Sequence, residues 1–179
     1  AYQPGFVCNH SDHRGRYAWN RQPSIGLWNL NALAHALSGL LERDALVDAL
    51  QGYEPALLAT YEGGLRDKLG LRGEREEDRG LVLDFLELLA KSGADHTRSF
   101  RALAQVRVTA ETTPLRDDFV DRAAFDAWHR RYRERLQAES SVDAERAARM
   151  NAVNPKYILR NYLAQVAIDK AEAGDYSEI

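Results

Sequence analysis

Cys8-Asn9-His10-Ser11-Asp12-His13 is the densest run of chemically capable side chains in the chain. Thiol, imidazole and carboxylate are metal-ligand types, and one loop can present several of them. The spacing fits no zinc module, because no CxxC, no HExxH and no downstream His pair accompanies it. The other histidines, His35, His96 and His129, fall on separate predicted helices. A metal-binding domain at Cys8 to His13, testable by elemental analysis, is one reading. The alternative is a loop tied down by side-chain-to-backbone hydrogen bonds, which Asn, Ser and Asp form readily. Cys8 could also act as a nucleophile with His10 or His13 as base, its reactivity set by its thiolate fraction. A redox thiol is the stronger role for Cys8, although no second thiol exists and an internal disulfide is excluded.

Phosphate-binding signals are absent: there is no GxGxxG and no GxxxxGK[ST], and no GxSxG elbow appears. Gly63-Gly64 lies within helix-period sequence and is not a phosphate loop. Glu76-Glu77-Asp78 reads as a solvated helix start. Arg130 to Arg135 is basic and aromatic, but on a helix it spreads around the axis and makes no nucleic-acid stripe. Trp19 and Trp28 read as core anchors rather than ligand platforms.

The elements that must position these groups are helical. Residues 1–22 read as irregular, with a Pro4-Gly5 turn and a polar run from Asn9 to Gly15. Pro23 opens a helix to Leu37 that is apolar around much of its circumference, so a buried central helix is expected there. Asp44 to Leu69 keeps a period near 3.6, with Pro55 expected to kink or divide it and Gly63-Gly64 costing about 1 kcal/mol each. Leu81 to Leu89 forms an apolar helix ended by Ser92-Gly93, and Asp95 caps a short helix through Val106. Thr109 to Pro114 is a loop, Asp117 to Gln137 a helix, and Ser140-Ser141 a break before a short polar turn or helix. Asn154-Pro155 reads as the cap and first residue of a last helix that Gly174 ends. No convincing strand or internal repeat is present. The expectation is an all-α fold, about six helices around a buried central helix.

Apolar residues make up 45% of the 179 and charged residues 28%, ordinary for one globular domain. No apolar run spans a bilayer and no signal-peptide pattern opens the chain. The net charge of −3 argues against a nucleic-acid or anionic-membrane binder. Only four of the 24 bases are lysines. The single cysteine fits a reducing compartment such as the cytoplasm, and the location expected is a bacterial cytoplasm. The chain begins at Ala1 and its only methionine is Met150, so an upstream segment is expected.

Three groups of strings carry a resemblance. The first is Pro4-Gly5-Phe6-Val7-Cys8-Asn9-His10-Ser11-Asp12 with Gly15-Arg16-Tyr17, Gln22-Pro23 and Leu27-Trp28-Asn29-Leu30. The second is Pro114-Leu115-Arg116-Asp117 with Asp121-Arg122-Ala123-Ala124-Phe125. The third is Val153-Asn154-Pro155, Leu159 to Gln165 and Gly174-Asp175-Tyr176. Together they resemble the selenoprotein O family. The resemblance implies a protein-kinase-like fold that moves AMP from ATP, held inverted relative to ordinary kinases, to Ser, Thr or Tyr hydroxyls of protein substrates. Metal ions and cations would neutralise developing charge while an Asp helps the hydroxyl attack.

The family's glycine-rich loop, nucleotide-gripping cations and catalytic and metal-binding acids would lie upstream of Ala1. No catalytic, cofactor-binding or metal-binding residue therefore carries over. ATP and magnesium would be bound by the parent and not by this fragment, which is expected to be inactive. Residues 1–22 would be activation-segment-like and 23–179 a C-lobe-like domain truncated at both ends. One feature does carry over: a Cys matching Cys8 pairs, in the family, with a Cys or selenocysteine near the C-terminus, which makes Cys8 a candidate redox thiol. The missing N-terminal half is then the expected partner, and the apolar surface it leaves exposed predicts self-association. The reading from a different class is a non-catalytic, all-helical protein-interaction module.

Overall fold

The computed structural model describes residues 2–179, and Ala1 lies outside them. Among the described residues there are eight α-helices, two 3-10 turns and no strand, so the all-α expectation holds with two more helices than expected. The helices are α1 (Gln22–Leu37), α2 (Arg43–Gln51), α3 (Tyr53–Leu69), α4 (Asp78–Ser92), α5 (His96–Leu103), α6 (Arg122–Ala138), α7 (Asp143–Val153) and α8 (Asn161–Glu172). The 3-10 turns are Trp19–Arg21 and Pro114–Asp118.

The extra helices come from local chemistry. The long Asp44-to-Leu69 pattern divides at Gly52, and Pro55 sits in the first turn of α3, where its missing N–H costs nothing. The polar stretch after Ser141 forms α7 outright. Asp95 caps α5 as expected, its side chain accepting from the Arg98 N–H at 2.9 Å. Gly70 and Gly93 end α3 and α4 in the left-handed conformation.

The core sits between the last part of α3 and α4 to α7. Leu69, Phe85, Leu89, Leu103, Phe125, Tyr132, Leu136 and Met150 are fully enclosed. An aromatic stack runs through it: Phe119 on Phe125 at 4.5 Å, Phe85 on Trp128 at 4.4 Å, and Trp128 on Tyr132 at 5.1 Å. Such pairs each contribute about 0.5–1.5 kcal/mol beyond area burial. The polar ends of the two large rings are satisfied, Trp128 Nε1 donating to Leu81 O at 2.8 Å and Tyr132 OH to Leu69 O at 2.6 Å.

Four expectations need correction. The helix at Pro23 to Leu37 is not a buried centre: α1 contains no buried residue, and Trp28 and Leu33 are each 54% exposed. It packs chiefly on α2 and the turn before it, so much of its apolar circumference stays exposed among the described residues. Trp19 and Trp28 are accordingly exposed rather than core anchors. Asp78 is not solvated: it is buried, accepting from Arg135 Nε at 2.6 Å, while Glu76 and Glu77 stay exposed. Asn154 does not open the last helix. It ends α7, and its buried side chain donates to Lys68 O at 2.8 Å, so α8 begins only at Asn161. No helix among the described residues is long and apolar enough to cross a membrane.

Candidate functional site

The chemically dense run lies in an arm, residues 2–21, that closes on itself. The Trp19 N–H donates to Phe6 O at 2.9 Å and the Asn20 N–H to Pro4 O at 2.9 Å. The Tyr2 N–H donates to Ala94 O at 2.8 Å, which ties the arm to the end of α4. Within the arm, Asn9 Oδ1 accepts from the Ser11 and Asp12 N–H groups at 3.0 and 2.7 Å. Asp12 accepts from the Arg16 N–H at 2.9 Å and the Tyr17 N–H at 2.7 Å. The tied-down loop is thus the reading that the geometry carries. The Tyr17 N–H, helped by neighbouring N–H groups, holds the Asp12 carboxyl below its ordinary range. The same bonds engage both carboxylate oxygens within the loop.

Arg16 then fixes the arm to α1. Its guanidinium lies over the Trp28 ring at 4.1 Å, a cation–π contact. Gln22 Nε2 donates to Tyr17 O at 2.8 Å and continues the seam. Close packing at the start of α1 depends on Gly26: a Cβ there would meet the Tyr53 hydroxyl at 2.5 Å, and that hydroxyl donates to Pro23 O at 2.9 Å.

Cys8 is a free, exposed thiol, and His10 and His13 are exposed beside it. No three His, Cys, Asp or Glu side chains among the described residues gather to hold a metal ion. The arm therefore displays an exposed thiol that belongs to no cluster of metal-ligand side chains among the described residues. The scattered histidines stay apart. His35 is exposed, with Nδ1 at 2.9 Å from Asn31 O. His129 is buried against Phe125, and its Nε2 has no partner among the described residues. His96 lines a cleft between the arm and α3 together with Lys68, a pairing sequence reasoning missed. Nothing local signals it, since Lys68, His96 and Asn154 share no motif and meet only through the packing of α3, α5 and the end of α7.

The family model described as "Protein adenylyltransferase SelO" matches residues 1–179. The chain is 56% identical, over 174 residues, to the protein nucleotidyltransferase YdiU of Yersinia pseudotuberculosis, covering 97% of this chain and 36% of the relative. Its identity to the protein of the same name from Pectobacterium atrosepticum is 55% over 179 residues, or 100% of the chain and 37% of the relative. For Myxococcus xanthus it is 54% over 178 residues, 98% and 36%. The chain spans little more than a third of the length of these curated relatives. Matched by the family model along its whole length, and sharing more than half its residues with nucleotidyltransferases, the chain belongs to the protein adenylyltransferase SelO family.

Proposed function

We propose that the chain is the C-terminal helical part of a bacterial cytoplasmic enzyme with a protein-kinase-like fold that transfers AMP from ATP to Ser, Thr or Tyr hydroxyls of proteins. The observation that carries this reading is the unbroken family match over residues 1–179 in a chain that spans only about a third of its nucleotidyltransferase relatives. In such a transfer the acceptor oxygen attacks the α-phosphorus of ATP. The bond from that phosphorus to the bridging oxygen breaks, pyrophosphate leaves, and the hydroxyl proton passes to a base.

The donor set of this chain does not fit a nucleotide–magnesium site. The sequence has no phosphate loop, no three His, Cys, Asp or Glu side chains gather among the described residues, and the Asp12 carboxylate is engaged by backbone N–H groups. In this reading ATP and magnesium are bound by the part of the relatives' length that this chain does not span, and the 179 residues alone are expected to add no AMP. Its own contribution is positional: the arm, held by Asp12 and by Arg16 on Trp28, forms a wall beside the reacting groups. Cys8, exposed on that wall, is the thiol through which a redox partner would act on the enzyme. Equal activity of the oxidised and reduced parent would remove that role.

The test is intact-mass analysis of a hydroxyl-bearing acceptor protein incubated with Mg-ATP. The expected result is AMP addition by the chain extended to the relatives' full length and none by the 179 residues alone. No addition by either supports the second reading, a non-catalytic interaction module. The exposed apolar side chains of α1 and α8, among them Trp28, Leu33, Tyr162 and Ile168, favour that reading. Addition by this chain alone would show that the chemistry resides here.

A further inference from the structure

The cleft between the arm and the core holds about 400 Å³, a volume in the range of small-molecule sites. Its walls are mostly aromatic and aliphatic: Tyr2, Trp19, Leu65, Leu86 and Phe100. Among these walls lies one ammonium group, Lys68 Nζ, 5.7 Å from the centre of the Phe100 ring. Its nearest polar partner is the neutral Asn154 Oδ1, a long contact at 3.4 Å, and among the described residues no Asp or Glu pairs with it. The nearby carboxylate, Asp95, is already engaged by Arg160 at 2.7 Å and by the Arg98 N–H. His96 stands across the cleft with its ring between Tyr2 and Phe100, at 5.4 and 4.7 Å. Thr97 adds a hydroxyl to the same lining.

A cation drawn partly out of water among apolar walls, with no carboxylate beside it, loses hydration, and an incoming anion would offset that loss. Burial pushes the Lys68 ammonium below its ordinary range, and burial followed by the Lys68 charge pushes the His96 imidazolium down as well. Lys68 carries a single compact charge with no arginine beside it in the lining, which suits one negative charge better than a phosphate dianion. Aromatic walls suit an apolar body behind that charge.

We propose that this cleft binds a carboxylate carried on an apolar or aromatic body. Lys68 meets the carboxylate, Thr97 and His96 flank it, and Tyr2, Trp19 and Phe100 enclose the body. The carboxylate belongs either to a free small molecule or to a side chain of the polypeptide beyond these 179 residues. This site is independent of the AMP-transfer reading.

Lysine acylation with acetic anhydride, read by mass spectrometry, tests it with phenylacetate as probe. Phenylacetate is expected to slow labelling of Lys68 roughly tenfold while leaving Lys91, Lys156 and Lys170 unchanged, and benzyl alcohol is expected to protect none. As a second readout, phenylacetate should quench the fluorescence of Trp19, and Lys68→Met should abolish that quenching while the circular dichroism spectrum stays the same. Protection equal across the four lysines, protection by benzyl alcohol, or quenching that survives in Lys68→Met would each overturn the proposal. In the chain extended to full length, Lys68 already shielded without probe assigns the carboxylate to the polypeptide. Lys68 labelled there and shielded only by phenylacetate assigns it to a free ligand.

Discussion

Arg135 enters the interior with its charge matched on two sides, by Asp78 at 2.6 Å and by Glu139 at 2.6 Å. Removing Asp78 leaves Arg135 with Glu139 alone and takes the acceptor from its buried Nε, so Asp78→Ala is expected to lower unfolding free energy by about 3 kcal/mol in a urea titration. Gly70 is constrained differently. Its φ is +70°, and a Cβ there would lie 2.7 Å from Arg146 Cγ, Met150 Cγ and Met150 Sδ. Gly70→Ala is therefore expected to cost about 2 kcal/mol, measured the same way. His129 sets a pH dependence. Burial, then the Arg133 charge, lowers its pKa from the ordinary 6.5, and Nε2 faces no acceptor for a second proton. The unfolded chain thus binds that proton more readily. The stabilisation is complete above about pH 6.5 and is lost as pH falls toward and through the folded pKa. Thermal unfolding followed from neutral pH down to about pH 5.5 should show a falling midpoint, and His129→Phe should flatten the slope. An unchanged slope in the variant would assign the effect to other groups, His96 first.

Among the elements, the arm depends most on a single side chain. Asp12→Asn keeps the shape but removes the charge that receives the Arg16 and Tyr17 N–H groups. Hydrogen exchange at those two amides is expected to speed up several-fold, and limited proteolysis to cut between Asn9 and Tyr17 sooner than in the original chain. The elements were largely legible where a local rule coincides with packing. Asp95 caps, Gly93 stops α4, and Phe85, Leu89, Trp128, Tyr132 and Leu136 turn inward as their spacing requires. They were illegible where a distant group wins. Asn154-Pro155 has the residues of a helix start, yet the Lys68 carbonyl, 86 positions earlier, captures the Asn154 side chain. Asp78 sits in a run of charges that looks solvated, and only Arg135, 57 positions away, explains its burial. The tied-down loop at Asn9 and Asp12 could be read from residue type alone, because its bonds span five residues or fewer. The Lys68–His96 cleft could not, because the arm, α3, α4, α5 and the stretch after α7 build it together.

For the whole molecule the distribution of burial is uneven. α1, α2 and α8 contain no buried residue, while Trp28, Leu33, Leu159, Tyr162 and Ile168 are exposed. Apolar surface of that kind drives association, so light scattering is expected to show an apparent mass that climbs with concentration. Leu33→Glu combined with Leu159→Glu should hold it at the monomer value, and a concentration-independent mass in the original chain would refute the expectation. The same unevenness bears on calorimetry. The core runs only from Leu65 to Met150, and unfolding enthalpy scales with the residues that melt together. A heat scan should therefore register roughly half the transition enthalpy that the chain length implies. The outlying helices would already be fraying below the midpoint, so the measured peak would report the stability of α3 to α7 and not of α1, α2 or α8.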